Sequence, residues 1–233
     1  DWSAMGIDVY WGSGSPYSWR VLLALELKGL PYTSHLLQFD RQDHQAPQML
    51  AMNPRGRVPV LKDGDYVVFE SLAVLFYLDR KYAEPPLFGR SPEEAAVIMR
   101  VINEFQAYTE AELLRFVQAV QGPRKAKLGE DVTHAMHRVA SEARTIEGRL
   151  SKSEWIVGDA VSAADLAIYP FIRLLHRTLL APGAQELSAR FLPAEVHYPS
   201  LAKWMQRVEA LPGFARTWPP HWGAAAGPVP SSA

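Results

Sequence analysis

Hydroxyl side chains are concentrated where the segment GSGSPYSWRVLLALELKG, residues 12–29, changes from a loop to a helical pattern. Ser15 suits the N-cap of the helix, Pro16 its first turn and Gly29 its end. Free N–H groups and a partial positive charge at a helix N-terminus favour anions. The chain has no cysteine, which excludes disulfides, thiolate metal sites and a cysteine nucleophile. Any thiol that reacts here must therefore arrive with a ligand.

A carboxylate and a hydroxyl occupy a second junction, in FESLAV, residues 69–74, where a strand pattern gives way to a helix. Ser71 can cap this helix, and its free N–H groups can attract a carboxylate. Glu70 can hold an ammonium group. Together the two residues suit the head of an α-amino acid. The alternative is an ordinary N-cap beside a solvated glutamate.

A proline lies at the start of a predicted hairpin strand in NPRGRVPVL, residues 53–61. Pro59 cannot donate to a strand ladder, so it belongs at a strand start or edge. A cis Val58–Pro59 bond would turn the N–H and C=O of Val58 outward, where they could pair with an extended peptide ligand. On spacing alone, a trans proline at a strand edge is the alternative.

The elements that must position these residues form an α/β domain followed by an all-α domain. The first has the strand and helix order βαβ then ββα of a thioredoxin-like domain. Beyond a stretch rich in proline and glycine, only amphipathic helices are predicted, at about residues 93–121, 131–150, 163–178 and 200–210. The predicted boundaries are residues 5–84 for the thioredoxin-like domain, 85–92 for the linker, 93–220 for the helical domain and 221–233 for a mobile tail.

The composition excludes several classes of function. The chain has 233 residues, 48% of them hydrophobic, and a formal net charge of -1, so it lacks the basic character of a nucleic-acid or membrane-surface binder. No apolar run reaches the roughly 18 to 20 residues that cross a bilayer, and the first residues do not resemble a signal peptide. These features predict a cytoplasmic protein. His134 and His137 share a predicted helix face without further ligands, so no metal site is predicted.

Three motifs occur in one order: SPYSWRVLLALELKGLPY, NPRGRVPVLKDGDYVVFESLAVLFYL and GDAVSAADLAIYP. Through them, residues 7–211 resemble the cytosolic glutathione S-transferase superfamily. The resemblance implies a first domain that binds glutathione as a co-substrate and a helical domain that supplies the pocket for a small hydrophobic electrophile. It also implies a homodimer with a role in detoxification.

The resemblance implies a role for each matching residue. Ser15 matches the catalytic serine of the theta and zeta-like classes, whose hydroxyl donates a hydrogen bond to the glutathione sulfur, and Ser13 is the alternative. Ser162 and Asp165 match a structural capping box. The implied glutathione-binding residues are Val58 for the cysteinyl backbone, the cis-proline Pro59, Glu70 and Ser71 for the γ-glutamyl end, and His44 and Arg57 for the glycine carboxylate.

The first motif departs from its nearest class. SPYSWRV resembles the SSCSWRV of the zeta class, which isomerises maleylacetoacetate or related cis-diketo acids, but Pro16 and Tyr17 replace its second serine and its cysteine. Tyr17 and Trp11 instead predict an aromatic-lined pocket for the electrophile. The alternative is that both rings are packing residues.

Three functions remain open. The first is conjugation of glutathione to a hydrophobic electrophile. The second is glutathione-dependent isomerisation of the maleylacetoacetate or maleylpyruvate type, dehalogenation or disulfide reduction. The third is a non-catalytic, transferase-like binding module, against which the retained glutathione-binding motifs argue. The tail could cover the site, since Trp218, His221 and Trp222 cluster where it begins.

Overall fold

The computed structural model of the protein describes residues 6–121, 130–182, 184 and 188–223, which form two compact units. The first unit comprises the described residues up to Leu87 together with those from Glu209 onward, and the second runs from Phe88 to Val208. Most of the predicted tail, residues 224–233, lies outside the described part of the chain.

Four strands form a mixed sheet in the first unit. They are β1 (Ile7–Trp11), β2 (Tyr32–Leu36), β3 (Val60–Asp63) and β4 (Tyr66–Phe69). The spatial order is β2-β1-β3-β4. β1 is parallel to β2, whereas β3 is antiparallel to both β1 and β4. This topology confirms the predicted thioredoxin-like α/β fold. β3 begins at Val60, directly after the proline at the predicted strand start, since Pro59 cannot donate to the ladder.

Three helices accompany this sheet: α1 (Pro16–Leu27), α2 (Pro47–Met52) and α3 (Ser71–Lys81). Nearly every residue of α1 is buried, and the helix packs against α3. A helix that is apolar on most sides belongs in a core, which explains its run of large aliphatic residues. α2 is too short to show helical periodicity, so the sequence pattern does not predict it.

The second unit contains helices and no strand in its described residues, which confirms the predicted all-α class. Its helices are α4 (Pro92–Phe105), α5 (Ala111–Gln121), α6 (Glu130–Leu150), α7 (Ala163–Leu179), α8 (Ala194–His197) and α9 (Pro199–Glu209). The single helix predicted over residues 93–121 is interrupted by a π-helical turn at Gln106–Glu110. Among the described residues, no helix has the length and apolar character that crossing a membrane requires.

A buried capping box begins α7 and confirms the predicted role of the SAAD motif. The Ser162 N–H donates to Asp165 Oδ2 at 2.9 Å. Asp165 Oδ1 also accepts from the Ile156 N–H at 3.0 Å and from Trp204 Nε1 at 2.8 Å. Burial raises the pKa of the Asp165 carboxyl, and the donated hydrogen bonds oppose this rise. The carboxylate thus joins α7 to two other segments of the unit.

The end of the described chain packs within the first unit through α10 (Phe214–Thr217), which contacts α1. Trp19 Nε1 donates to Thr217 Oγ1 at 2.8 Å, and the Trp19 ring contacts the rings of Phe214 and Trp218. The sequence pattern assigns residues up to 220 to the helical domain. Those from Glu209 onward group with the first unit because their aromatic side chains pack on α1.

Candidate active site

The predicted site residues lie in segments that connect to the strands at one edge of the sheet of the first unit. β1 and β2 end side by side, with Trp11 opposite Leu36. β3 begins at Val60, which lies opposite Tyr10 of β1 and Phe69 of β4. The carboxyl ends of three strands and the amino end of β3 therefore meet at this edge. The segments that leave it carry the predicted residues Ser13, Ser15, His44, Arg57, Val58, Pro59, Glu70 and Ser71.

Ser15 is the N-cap of α1, as predicted. Its backbone is extended, with φ -70° and ψ 115°, and its Oγ accepts a hydrogen bond from the Ser18 N–H at 3.2 Å. A hydroxyl that accepts one bond still has its own proton to donate. Ser15 can therefore cap the helix and donate to an anion at the same time.

Ser13 is held differently. Its Oγ lies 2.5 Å from Nδ1 of His221, near the end of the described chain. The Ser18 hydroxyl accepts from the Gly12 N–H at 3.3 Å and is buried. Of the three serines in this segment, Ser15 thus has the hydroxyl best placed to serve a ligand at the start of α1.

Glu70 has a backbone conformation that is unusual for a non-glycine residue, with φ +67° and ψ 113°. Such strain persists only where the surrounding structure enforces it, and it is common at ligand sites. The predicted cap by Ser71 is wrong, because Glu70 occupies the N-cap position of α3 and Ser71 is the first helical residue. The Ser71 hydroxyl instead accepts from Nη1 of the buried Arg20 at 3.2 Å.

The turn before β3 presents Val58 at this edge. The Val58–Pro59 peptide bond is cis, as the resemblance implies. Asn53 is buried and organises the turn, because its Nδ2 donates to the Arg57 carbonyl at 2.9 Å while its Oδ1 accepts from the Arg55 N–H at 3.1 Å. The Arg57 side chain is exposed, so its guanidinium can reach a ligand.

His44 lies in the 3-10 turn Asp43–Gln45 that follows β2. Its Nδ1 is buried without a hydrogen-bond partner among the described residues. The ring also makes an edge contact with Phe39, with centroids 5.2 Å apart. Buried polar atoms are nearly always paired, so this nitrogen is suited to a contact with a ligand.

The two aromatic residues assigned to the electrophile pocket have different environments. Trp11 is only 7% exposed, and its Nε1 donates to Ser34 Oγ at 2.7 Å. This burial favours the packing alternative for Trp11. Tyr17 is half-buried, and the Arg20 guanidinium lies 5.2 Å from its ring centroid.

Sequence reasoning missed Arg20 as a partner of the site, and it missed the contact between His221 and Ser13. Arg20 is 1% exposed although it carries a charge. Its position inside the apolar run WRVLLAL was the available signal, since a charged residue is seldom fully buried unless it is paired. The contact of His221 with Ser13 had no local signal, because the two residues lie 208 positions apart.

The described residues contain no group of three or more His, Cys, Asp or Glu side chains arranged to hold a metal ion. His134 and His137 are both exposed on α6, and the ring of His137 lies beside Nη1 of Arg190. A cation next to this ring disfavours metal binding there.

Comparisons with protein families, with individual relatives and with solved structures all match this chain to glutathione S-transferases. Family models for the N-terminal and C-terminal domains of glutathione S-transferases match residues 14–81 and 96–212. Glutathione S-transferase A of Pleuronectes platessa is 29% identical and covers 94% of each chain. Glutathione S-transferase 4 of Zea mays is 32% identical over 88% of this chain and 89% of its own. The crystal structure of a glutathione S-transferase from the Antarctic clam Laternula elliptica has a TM-score of 0.80 at 28% identity, covering 94% of this chain and 95% of that one.

Proposed function

Because the chain belongs to the glutathione S-transferase superfamily, we propose that it binds glutathione at this edge of the sheet and activates the thiol for attack on a small hydrophobic electrophile. The observation that carries this proposal is the position of Ser15. Its hydroxyl stands at the N-terminus of α1 and already accepts one hydrogen bond from the helix.

Two effects would lower the pKa of the glutathione thiol at this position. The partial positive charge at the start of α1 favours the thiolate over the thiol. The Ser15 hydroxyl would donate a hydrogen bond to the sulfur. This bond stabilises the thiolate more than the neutral thiol. The thiol proton passes to solvent, and a sulfur lone pair then forms the new carbon–sulfur bond. With a halide substrate, the halide leaves with its bonding electrons.

The remaining residues at the edge match the other groups of glutathione. The Glu70 carboxylate would hold the ammonium of the γ-glutamyl residue. The Ser71 hydroxyl accepts a hydrogen bond from Arg20. It can donate its own proton to the α-carboxylate of the γ-glutamyl residue. The Val58 backbone would pair with the cysteinyl unit, next to the cis Pro59. We assign His44 and Arg57 to the glycine carboxylate.

Family membership supports two further parts of the proposal. The first is a homodimer. The second is a division of labour in which residues 5–84 bind glutathione and the helical residues 93–208 select the electrophile.

Product analysis tests the reaction. The protein would be incubated with glutathione and an aryl halide, and the products identified by mass spectrometry and halide release. We expect a glutathione thioether and one halide ion for each glutathione consumed. A parallel incubation would replace the aryl halide with a cis-diketo acid. Isomerisation of that acid, together with recovery of both glutathione and the aryl halide unchanged in the first incubation, would contradict conjugation, as would accumulation of glutathione disulfide.

Substitutions of Glu70 are expected to separate backbone strain from ligand binding. Glu70→Ala and Glu70→Gly both remove the carboxylate, so each should weaken glutathione binding by about tenfold or more, as expected for a lost charged hydrogen bond. Glycine adopts a φ of +67° without a steric penalty, so the glycine variant should be the more stable of the two by about 1 kcal/mol.

Calorimetric titration and urea denaturation would measure these two effects on the same samples. Equal free energies of unfolding for the alanine and glycine variants would mean that the Glu70 backbone stores no strain. Wild-type affinity in both variants would remove Glu70 from the binding set.

A further inference from the structure

The loop that precedes α1 is enclosed on two sides by side chains of the first unit. A Cβ atom at Gly12 would lie 2.1 Å from Cζ of Phe39, and one at Gly14 would lie 2.6 Å from Cε1 of His221. Gly14 also has a φ of +77°, which disfavours other residues. Gly12 therefore leaves room for the Phe39 ring, and Gly14 leaves room for the His221 ring, against the loop next to Ser15.

The ring over Gly14 is bonded to the loop. His221 Nδ1 lies 2.5 Å from Ser13 Oγ, and the His221 backbone N–H donates to the same oxygen at 3.5 Å. One short polar contact thus joins the end of the described chain to the residue two positions before Ser15. This contact limits the positions that the loop can adopt.

An aromatic cluster on α1 fixes the segment that carries His221. The ring of Trp19 makes edge contacts with Trp218 and Trp222, with centroids 5.6 Å and 5.5 Å apart. The Trp218 and Trp222 rings also lie 5.5 Å from each other. Because these rings flank His221 in the chain, its imidazole is presented to Ser13 by a packed cluster and not by a free tail.

A second anchor lies at Arg216, five residues before His221. The Arg216 guanidinium pairs with the carboxylate of Glu26 on α1, which is 8% exposed. Breaking a charge-assisted pair with a buried carboxylate is unfavourable. The segment therefore has polar and apolar attachments to α1 that are independent of the contact between His221 and Ser13.

We propose that His221 is a positioning residue for thiol activation, and that it acts through Ser13 to hold the loop that places the Ser15 hydroxyl at the start of α1. This inference rests on the proposed function. Ser13 then serves as the attachment point of the loop, and Ser15 remains the donor to the sulfur. Without the contact, the loop samples positions in which Ser15 is turned away from the thiolate.

The test compares His221→Leu, Ser13→Ala and the double variant with the wild type. Each single change should raise the pKa of the bound glutathione thiol by about half to one unit and lower turnover at neutral pH about three- to tenfold, the effect of one neutral hydrogen bond. The double variant should show no further change, because both substitutions remove the same contact. His221→Asn, which places a polar atom near the position of Nδ1, should recover most of the wild-type values.

His134→Leu is the matched control, because it replaces another exposed histidine, on α6. It should leave the thiol pKa and turnover unchanged. Near-ultraviolet circular dichroism would verify that the tryptophan cluster persists in His221→Leu.

Two results would overturn the inference. One is a wild-type thiol pKa in His221→Leu. The other is additive effects of His221→Leu and Ser13→Ala, which would mean that Ser13 acts on the sulfur by itself. Failure of the wild-type protein to bind glutathione would instead refute the proposed function, so the two failures are distinguishable.

Discussion

Ser15→Ala is expected to raise the pKa of the bound glutathione thiol by about one to two units, because a hydrogen bond to a charged group contributes about 1.5 to 3 kcal/mol and 1.36 kcal/mol corresponds to one pKa unit. At neutral pH the thiolate fraction should fall accordingly, and turnover should fall about 10- to 100-fold. Ultraviolet titration of the bound thiolate and steady-state conjugation rates would measure both effects.

Two further variants separate this effect from loss of the helix cap. Ser15→Gly removes the hydroxyl but costs only a few tenths of a kcal/mol as an N-cap, against about 1 kcal/mol for alanine. It should therefore match Ser15→Ala in thiol pKa while remaining closer to the wild type in stability. Ser15→Thr keeps the hydroxyl and should retain activity. An unchanged thiol pKa in both Ser15→Ala and Ser15→Gly would refute the role of Ser15.

Asp165→Ala is expected to lower the free energy of unfolding of the second unit by about 3 kcal/mol or more, since each buried donor left unpaired costs about 1 to 3 kcal/mol. The change would leave four buried donors without their acceptor: the N–H groups of Ile156 and Ser162, the Ser162 hydroxyl, and Nε1 of Trp204. Asp165→Asn keeps one acceptor oxygen and should cost less. Urea denaturation followed by far-ultraviolet circular dichroism would measure the loss.

A second capping box supplies the control. At α4, Glu94 Oε2 accepts from the Ser91 N–H, and Ser91 Oγ accepts from the Glu94 N–H, as in the box at α7, but Glu94 is exposed. Water can satisfy the donors that Glu94→Ala releases, so this variant should cost about 1 kcal/mol or less. Equal costs for Glu94→Ala and Asp165→Ala would contradict the importance assigned to burial.

Local signals in the sequence predicted the features that depend on neighbouring residues. Ser15, Pro16 and Gly29 predicted both ends of α1, because caps and proline preferences act within a few positions. The capping box of Ser162 and Asp165 followed from a spacing of three residues. The order of strands and helices was likewise readable, since each element carries its own hydrophobic period.

Features that depend on distant partners were not predictable from one sequence. Trp204 lies 39 positions from Asp165, and nothing in its local pattern identifies the carboxylate as its acceptor. Glu70 takes the N-cap position that the pattern assigns to Ser71. Its backbone there has a positive φ, and the conformational preferences of glutamate do not indicate one. The packing of α10 on Trp19 was likewise not predictable. Nothing in the sequence of an aromatic segment identifies the surface on which it packs.

Glutathione binding tests the central claim most directly. The wild-type protein would be titrated with glutathione by calorimetry, and the bound thiolate then titrated by its ultraviolet absorbance on the same sample. We expect saturable binding and a thiol pKa well below the free value of about 8.5. Absence of binding, or a bound thiol that keeps its free pKa, would contradict the assignment of this edge of the sheet as a thiol-activating site.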